Sequence, residues 1–258
     1  MTESVNLLED GMKKYISKID YTSTWSVAHH LRFLMIGAIC KDKKNVLDVG
    51  FGHNFTTKYL EDVGFWGSYT GIDLNKQYVD EAKLGTYKFP TQFLNCSIYD
   101  IKEKYDAVIL GEIIEHLTDE SERLKFLTYC KQLLEKDGVI IMTTPNRIGK
   151  RLNWPENHEY ELSYEECLQL ISQSGFIVEK CFGLWADTAY TINMLSRKDK
   201  FLYDELVKYF PRTLVNVFFN LKDPKKSRAL FFVLRASNFK TLNAWIVEEN
   251  KDEDESNV

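Results

Sequence analysis

Asn45-Val-Leu-Asp-Val-Gly-Phe-Gly-His53 is the stretch that decides how this chain is read. An apolar run that ends in Asp48-Val-Gly50-Phe-Gly52 and then enters a segment of helical period puts flexible backbone at the carboxyl edge of a strand, where doubly wound sheets bind ligands. Glycines there let a ligand approach the main chain closely. About 20 residues on, a second strand ends in Gly71-Ile-Asp73, and an acid at that edge can accept hydrogen bonds from two ribose hydroxyls. A short Gly-x-Gly is also an ordinary turn. The strand before it, the helix after it and the acid at the second strand together select a nucleoside. The third glycine of a dinucleotide site is absent, since Asn54 follows His53, and Asp48 would repel a pyrophosphate. A ligand with a positive sulfonium and an ammonium group suits that carboxylate better.

Outward from this loop, short runs rich in Val and Ile alternate with segments of helical period, the pattern of a parallel sheet wrapped by helices. The reading places strands at Asn45 to Gly50, Tyr69 to Leu74, Thr91 to Ile98, Tyr105 to Gly111, Gly138 to Thr144, Phe176 to Phe182 and Ala229 to Ala236. Helices are expected after Thr56, over Lys76 to Leu84, over Ser121 to Glu135, and after Ser163, whose Ser-x-x-Glu spacing is that of a helix start. The fold class is therefore α/β, a doubly wound, mostly parallel seven-stranded sheet with N-terminal helices and a helical insertion before the last strand. The expected division is a helical lid over 1–44, a ligand-binding core over 45–182, a helical cap over 183–228, a final core strand over 229–240 and an acidic, disordered tail over 241–258.

At Asp48 to Gly52 and Asp73 the chain resembles the class I methyltransferases, over about residues 45–182 and again at the strand near residue 230. That family writes its loop Asp/Glu-x-Gly-x-Gly-x-Gly, and this chain carries Asn54 at the last position. The resemblance implies that Asp48, Gly50 and Gly52 line the methionine and ribose portion of S-adenosylmethionine and that Asp73 holds the ribose hydroxyls. Leu74 and Gly111, at neighbouring strand ends, join them as cofactor contacts. Where the family often has an acid for the adenine amine this chain has Asn95-Cys-Ser97-Ile98, so Ser97 and Ile98 are the expected adenine contacts and Asp100 the substitute.

The fourth strand delivers Glu112-Ile-Ile-Glu115-His116 to the same edge. On one helical turn, Glu112, Glu115 and His116 would share a face, able to hold a divalent cation, supply a general base or close a polar network. Glu-x-x-Glu-His, with Thr143-Thr-Pro-Asn146 and His158-Glu-Tyr-Glu-Leu-Ser163, is similar to a subgroup that includes ubiquinone-biosynthesis O-methyltransferases and small-RNA 2′-O-methyltransferases. In the small-RNA enzymes two glutamates and two histidines bind magnesium, which would map onto Glu112, Glu115, His116 and His158. His116 is the first candidate base and His158 the second. The reaction implied is methyl transfer from S-adenosylmethionine to an oxygen, less readily a nitrogen, of a small or medium-sized acceptor. An RNA 3′-terminal ribose with Mg2+, and a non-catalytic S-adenosylmethionine-binding module motivated by the altered third glycine, are the alternatives.

Composition limits the partners. The net charge of -5 is concentrated where Glu248, Glu249, Asp252, Glu253, Asp254 and Glu255 oppose Lys251, so the rest of the chain is balanced and gives no general footprint for nucleic acid. The 5 cysteines lack any Cys-x-x-Cys pair and read as core residues of a reducing compartment. No leader opens the chain and no apolar run approaches the roughly 20 residues that span a bilayer, so a cytoplasmic protein without a membrane partner is expected. Trp25 and His29 are secondary candidates to touch donor or acceptor, and Arg147, Arg151, Trp154, Trp185 and Tyr190 to frame an acceptor, each also an ordinary packing or surface residue. The basic group Lys222, Lys225, Lys226 and Arg228 reads as a solvated turn. Neither the acceptor nor the oligomeric state follows from these motifs.

Overall fold

The computed structural model describes residues 20, 22–148, 158–185, 191–193 and 195–237. Seven strands form one sheet in the order β3-β2-β1-β4-β5-β7-β6, with β1 at Asn45–Val49, β2 at Ser68–Ile72, β3 at Thr91–Leu94, β4 at Tyr105–Gly111, β5 at Leu134–Pro145, β6 at Phe176–Trp185 and β7 at Ala229–Ala236. Strands β1 to β5 pair in parallel, and β7 runs antiparallel between β5 and β6. The chain reverses strand order beside β1, which puts a crevice at the carboxyl ends of β1 and β4. This is the fold class that the alternation of runs predicts.

Both faces of the sheet are covered, and that is why the strands read as continuous apolar runs. Along β1, Leu47 and Val49 turn toward α4 (Glu120–Gln132) and α5 (Tyr164–Gln173), where Phe126, Leu127 and Leu170 complete one core layer. Val46 belongs to the opposite layer, with Ile36 and Cys40 of α1 (Thr24–Cys40), Leu60 of α2 (Phe55–Asp62) and Val79 of α3 (Lys76–Lys83). Each such fully buried aliphatic side chain contributes about 1.5–3 kcal/mol through removal from water.

Several boundaries differ from the sequence expectation for local reasons. Strand β3 stops at Leu94 rather than Ile98, because Ser97 caps a single 3₁₀ turn, Ile98–Asp100, and the Asp100 carboxylate accepts from the Ser97 amide in return. Strand β5 begins at Leu134, four residues before Gly138: Leu134 pairs with Tyr105, and the register then shifts around Asp137, whose φ of 66° is left-handed. Strand β6 runs on to Trp185 because Trp185 still pairs with Ala229. The insertion before β7 carries α6 (Arg197–Leu206), α7 (Arg212–Lys222) and a 3₁₀ turn. Helix α7 packs on α1 through Val217 against Val27 and Ala28, so the insertion and the N-terminal helix form one covering layer.

Candidate functional site at the carboxyl edge of the sheet

The loop after β1 holds three left-handed residues, Gly50 (φ 65°), Gly52 (φ 54°) and Asn54 (φ 59°). Asn54 occupies the position of the expected third glycine. Asparagine is one of the few residues that enters this region readily, so the loop keeps its path without the glycine. The Asn54 amide group donates to the Tyr87 hydroxyl at 2.8 Å and so ties the start of α2 to the segment after α3. A methyl added at Gly50 would meet Ile113 Cδ1 at 2.4 Å, whereas one at Gly52 would meet nothing within 4 Å. Gly50 is small because the β4 loop packs on it; Gly52 borders open space.

Asp73 reaches back from the end of β2: Oδ2 accepts from Gly52 N at 3.0 Å and Oδ1 from Asn75 N at 2.8 Å. Asn95 donates to the carbonyls of Asp73 and Leu74, fixing this corner beside the exposed Leu74 side chain. Ser97 and Ile98 follow on the next strand end, with the Asp100 carboxylate engaged at the Ser97 amide. Asp48 lies beneath the loop. It is buried, accepts the Tyr69 hydroxyl at 2.9 Å, and burial pushes its carboxyl up to about 6, with hydrogen bonds from Thr56 and Tyr69 opposing the rise.

Helix α1 closes the site from above. Arg32 pairs with Glu112 at 2.9 Å and donates to His29 Nδ1 at 3.1 Å, while Trp25 stacks on His29 with ring centroids 4.9 Å apart. Together with Ala28, Leu184, Trp185 and Ala229 they line a cavity of about 50 Å³. Burial, reinforced by Arg32 and His30, pushes the His29 imidazole down to about 3, so it stands neutral as a hydrogen-bonding group. Glu112 itself has φ 57°, a left-handed backbone unusual for a glutamate, with its amide bonded to Thr143 O at 3.0 Å.

That backbone breaks the expected helical turn. Glu112 turns to Arg32, and the 3₁₀ turn Ile114–His116 carries Glu115 and His116 the other way, toward His158. Ligand atoms of Glu115, His116 and His158 lie within 4.8 Å of one another, with the two imidazoles edge to face at 5.2 Å. Three of the four expected residues are thus brought together and Glu112 stands apart. Glu115 is fully buried; its Oε2 accepts from Thr144 at 3.3 Å and its carbonyl receives the amides of Glu159 and Tyr160. Burial, then the Glu112 charge, holds its carboxyl well above the usual range. His158 Nδ1 meets the buried Glu161 carboxylate at 3.0 Å, a contact that fixes the orientation of the ring.

Arg32 is absent from the sequence reading, and Thr144 and Glu161 enter it only inside the quoted stretches, without a role of their own. Arg32 sits three residues from His29 and Glu161 three from His158, spacings that could have suggested both pairs. Arg147 is bound to Glu166 at 2.6 Å and to Tyr160, a structural bracket for α5. Lys222, Lys225 and Lys226 pair with Asp199, Glu165 and Asp223. Arg151, Trp154 and Tyr190, the acidic tail and most of the first 23 residues lie outside the described residues.

Residues 23–178 match the family model described as "Methyltransferase domain". A probable S-adenosylmethionine-dependent methyltransferase of Mycolicibacterium smegmatis is 25% identical over 166 residues, covering 62% of this chain and 62% of the relative. A ubiquinone biosynthesis O-methyltransferase of Haemophilus ducreyi is 30% identical over 117 residues, covering 42% of this chain and 48% of the relative. The chain therefore spans between 48% and 62% of the length of these two curated relatives. Among solved structures, the 1,6-didemethyltoxoflavin-N1-methyltransferase of Burkholderia thailandensis superposes with a TM-score of 0.56 at 16% identity, covering 92% of this chain and 90% of that one. This last likeness is one of fold.

Proposed function

The chain belongs to the methyltransferase-domain family, and from that premise we propose that it transfers a methyl group from S-adenosylmethionine to an oxygen, or a nitrogen, of a small or medium-sized acceptor, releasing S-adenosylhomocysteine. The observation that carries this reading is the loop of three left-handed residues with the Asp73 carboxylate at its rim. In this reading Asp73 gives its carboxylate to the ribose hydroxyls, Gly52 and Gly111 leave room for the methionine portion, Gly50 lines it through its backbone while Ile113 packs on its far side, and Leu74, Ser97 and Ile98 border the adenine. Asp48 contributes a negative field from beneath. Transfer from a sulfonium is an in-line displacement, so holding acceptor and methyl in line supplies most of the rate. His116, exposed beside the cluster, takes the acceptor proton, with His158 the second candidate and Glu161 keeping its ring in one orientation.

Binding is tested by calorimetry with S-adenosylhomocysteine, for which a saturable signal is expected; a flat titration would sink the proposal. Incubating labelled donor with cell-extract fractions, split by RNase and by chelator, then separates a small acceptor from an RNA end and an enzyme from a binding module. The left-handed Asn54 keeps the loop on the path a glycine would take, which supports an enzyme over the binding-module alternative. A sharper check is Gly52→Ala. Its methyl meets no protein atom, so stability should fall only by the left-handed penalty of about 1–2 kcal/mol. Affinity for S-adenosylhomocysteine should fall at least tenfold, because the methyl enters the space assigned to the ligand. Equal affinity in Gly52→Ala would place the ligand elsewhere.

A second reading, that a divalent cation sits at Glu115, His116 and His158, is favoured by one observation: buried Glu115 Oε1 has no hydrogen-bond partner among the described residues. One carboxylate with two imidazoles suits manganese, iron or zinc better than magnesium, which prefers oxygen donors. The Glu161 carboxylate behind His158 is the kind of outer partner that metal-bound imidazoles use. A bound cation would act as a Lewis acid on the acceptor oxygen and lower its pKa.

A further inference from the structure

Helix α7 is apolar on both sides, which an ordinary surface helix is not. Its inner residues Val215, Val217 and Phe219 are buried against Tyr203 and α1, yet Leu214 and Phe218 point outward. Helix α6 and the turn after it add Phe201, Tyr209 and Phe210, which are 70%, 78% and 55% exposed. Leu206, Phe210, Leu214, Val215 and Phe218 line a groove of about 250 Å³ between the two helices. Single exposed apolar residues need no explanation, but a contiguous group does.

Charge narrows what covers this surface. Residues 195–228 carry nine Lys and Arg against four Asp and Glu, in a chain whose net charge is -5. Lys208, Lys222, Lys225 and Lys226 have acidic partners, but Arg197, Lys198, Lys200 and Arg212 are exposed and make no ion pair among the described residues. A second copy docking through the same patch about a two-fold axis would bring these unpaired cations together, which argues against it. Exposed phenylalanines and unpaired Lys and Arg on one helical hairpin match an anionic lipid interface, where rings enter the headgroup layer and cations meet phosphates.

We propose that the α6–α7 hairpin docks the protein on the surface of an anionic phospholipid bilayer. Surface docking needs no spanning segment, and no described helix is long and apolar enough to cross a membrane. It also stands independently of the reading of the site.

The test is sedimentation of the full chain with vesicles of phosphatidylglycerol and phosphatidylcholine in equal parts, and with phosphatidylcholine alone. Binding is expected to the anionic vesicles only and to weaken with salt. It should fall about fivefold for each of Lys200→Gln and Arg212→Gln, and about tenfold for Phe210→Ser or Phe218→Ser. Circular-dichroism melting of the four variants should match the wild type, since all four side chains are exposed. The proposal is overturned if the chain sediments with neither vesicle or equally with both, or if the variants sediment like the wild type. Light scattering that shows a dimer broken by Phe210→Ser, without vesicle binding, would overturn it in favour of a second copy.

Discussion

Asp48→Asn is expected to melt several degrees higher than the wild type at neutral pH without ligand, and to bind S-adenosylhomocysteine on the order of tenfold more weakly. The stability gain follows from burial. The Asp48 carboxyl is held at about 6 in the folded chain against 3.8 when exposed, burial being the main cause. As pH rises from 3.8 to 6 the unfolded chain releases this proton and the folded chain retains it, so stability falls across that window and stays lower above it. The loss is about 3 kcal/mol at one pKa unit per 1.36 kcal/mol. Asparagine cannot ionise and still accepts the Tyr69 hydroxyl, but its amide needs a partner where Thr56 now donates, so a net gain of about 1–2 kcal/mol is expected. At about 2–4 °C per kcal/mol this is visible in a melting curve. At pH 4, where the wild-type penalty is almost gone and the unpartnered amide of the variant remains, Asp48→Asn should melt slightly below the wild type, so the two profiles cross between pH 4 and neutrality. Wild-type affinity for the cofactor should rise as pH passes 6, because the ionised form supplies the negative field, and the variant should lack that rise. Parallel melting profiles from pH 4 to 8 would remove Asp48 as the group responsible.

The loop after β1 was largely legible from the chain, and the packing of α1 above it was not. Strand β1 and the acid at the end of β2 could be placed because a short continuous apolar run and the glycines that end it are local signals, carried by adjacent residues. The role of Asn54 could be stated only as a departure, since backbone handedness is decided by the turn as a whole; the structure supplies the left-handed φ that accounts for it. Glu112 shows the limit more sharply. Glu-x-x-Glu-His suggests a shared helical face, yet a left-handed residue at its first position sends Glu112 to Arg32, 80 residues earlier in the chain, and leaves Glu115 and His116 to His158. Such pairings depend on how α1 packs across the sheet, which no spacing rule records. The end of β3 was misplaced for a different reason: Ser97 and Asp100 form a capping box three residues apart that competes locally with the strand.

The cluster around Glu115 yields the second large effect, in the substitution Glu115→Gln. If a cation binds there, manganese at about 100 times its dissociation constant should stabilise the wild type by about 2.7 kcal/mol. That corresponds to a melting shift of roughly 5–10 °C, which Glu115→Gln should lose together with most of the activity. Without a cation the sign reverses. A buried carboxyl held well above 4.5 opposes folding once pH passes its exposed value, and the penalty grows until the folded group itself ionises. Glutamine removes that penalty while still accepting from Thr144, so the metal-free variant should melt above the metal-free wild type at neutral pH. The two curves should therefore cross as manganese is added, the wild type rising past a variant that does not move. Magnesium should shift the wild type less, because two of the three donors are imidazoles. If magnesium, manganese and zinc all leave the wild-type melting temperature unchanged, the cation reading fails. Glu115 is then a neutral acid bracing the turn that presents His116, and Glu115→Gln should keep activity within a few-fold, since glutamine braces the same turn.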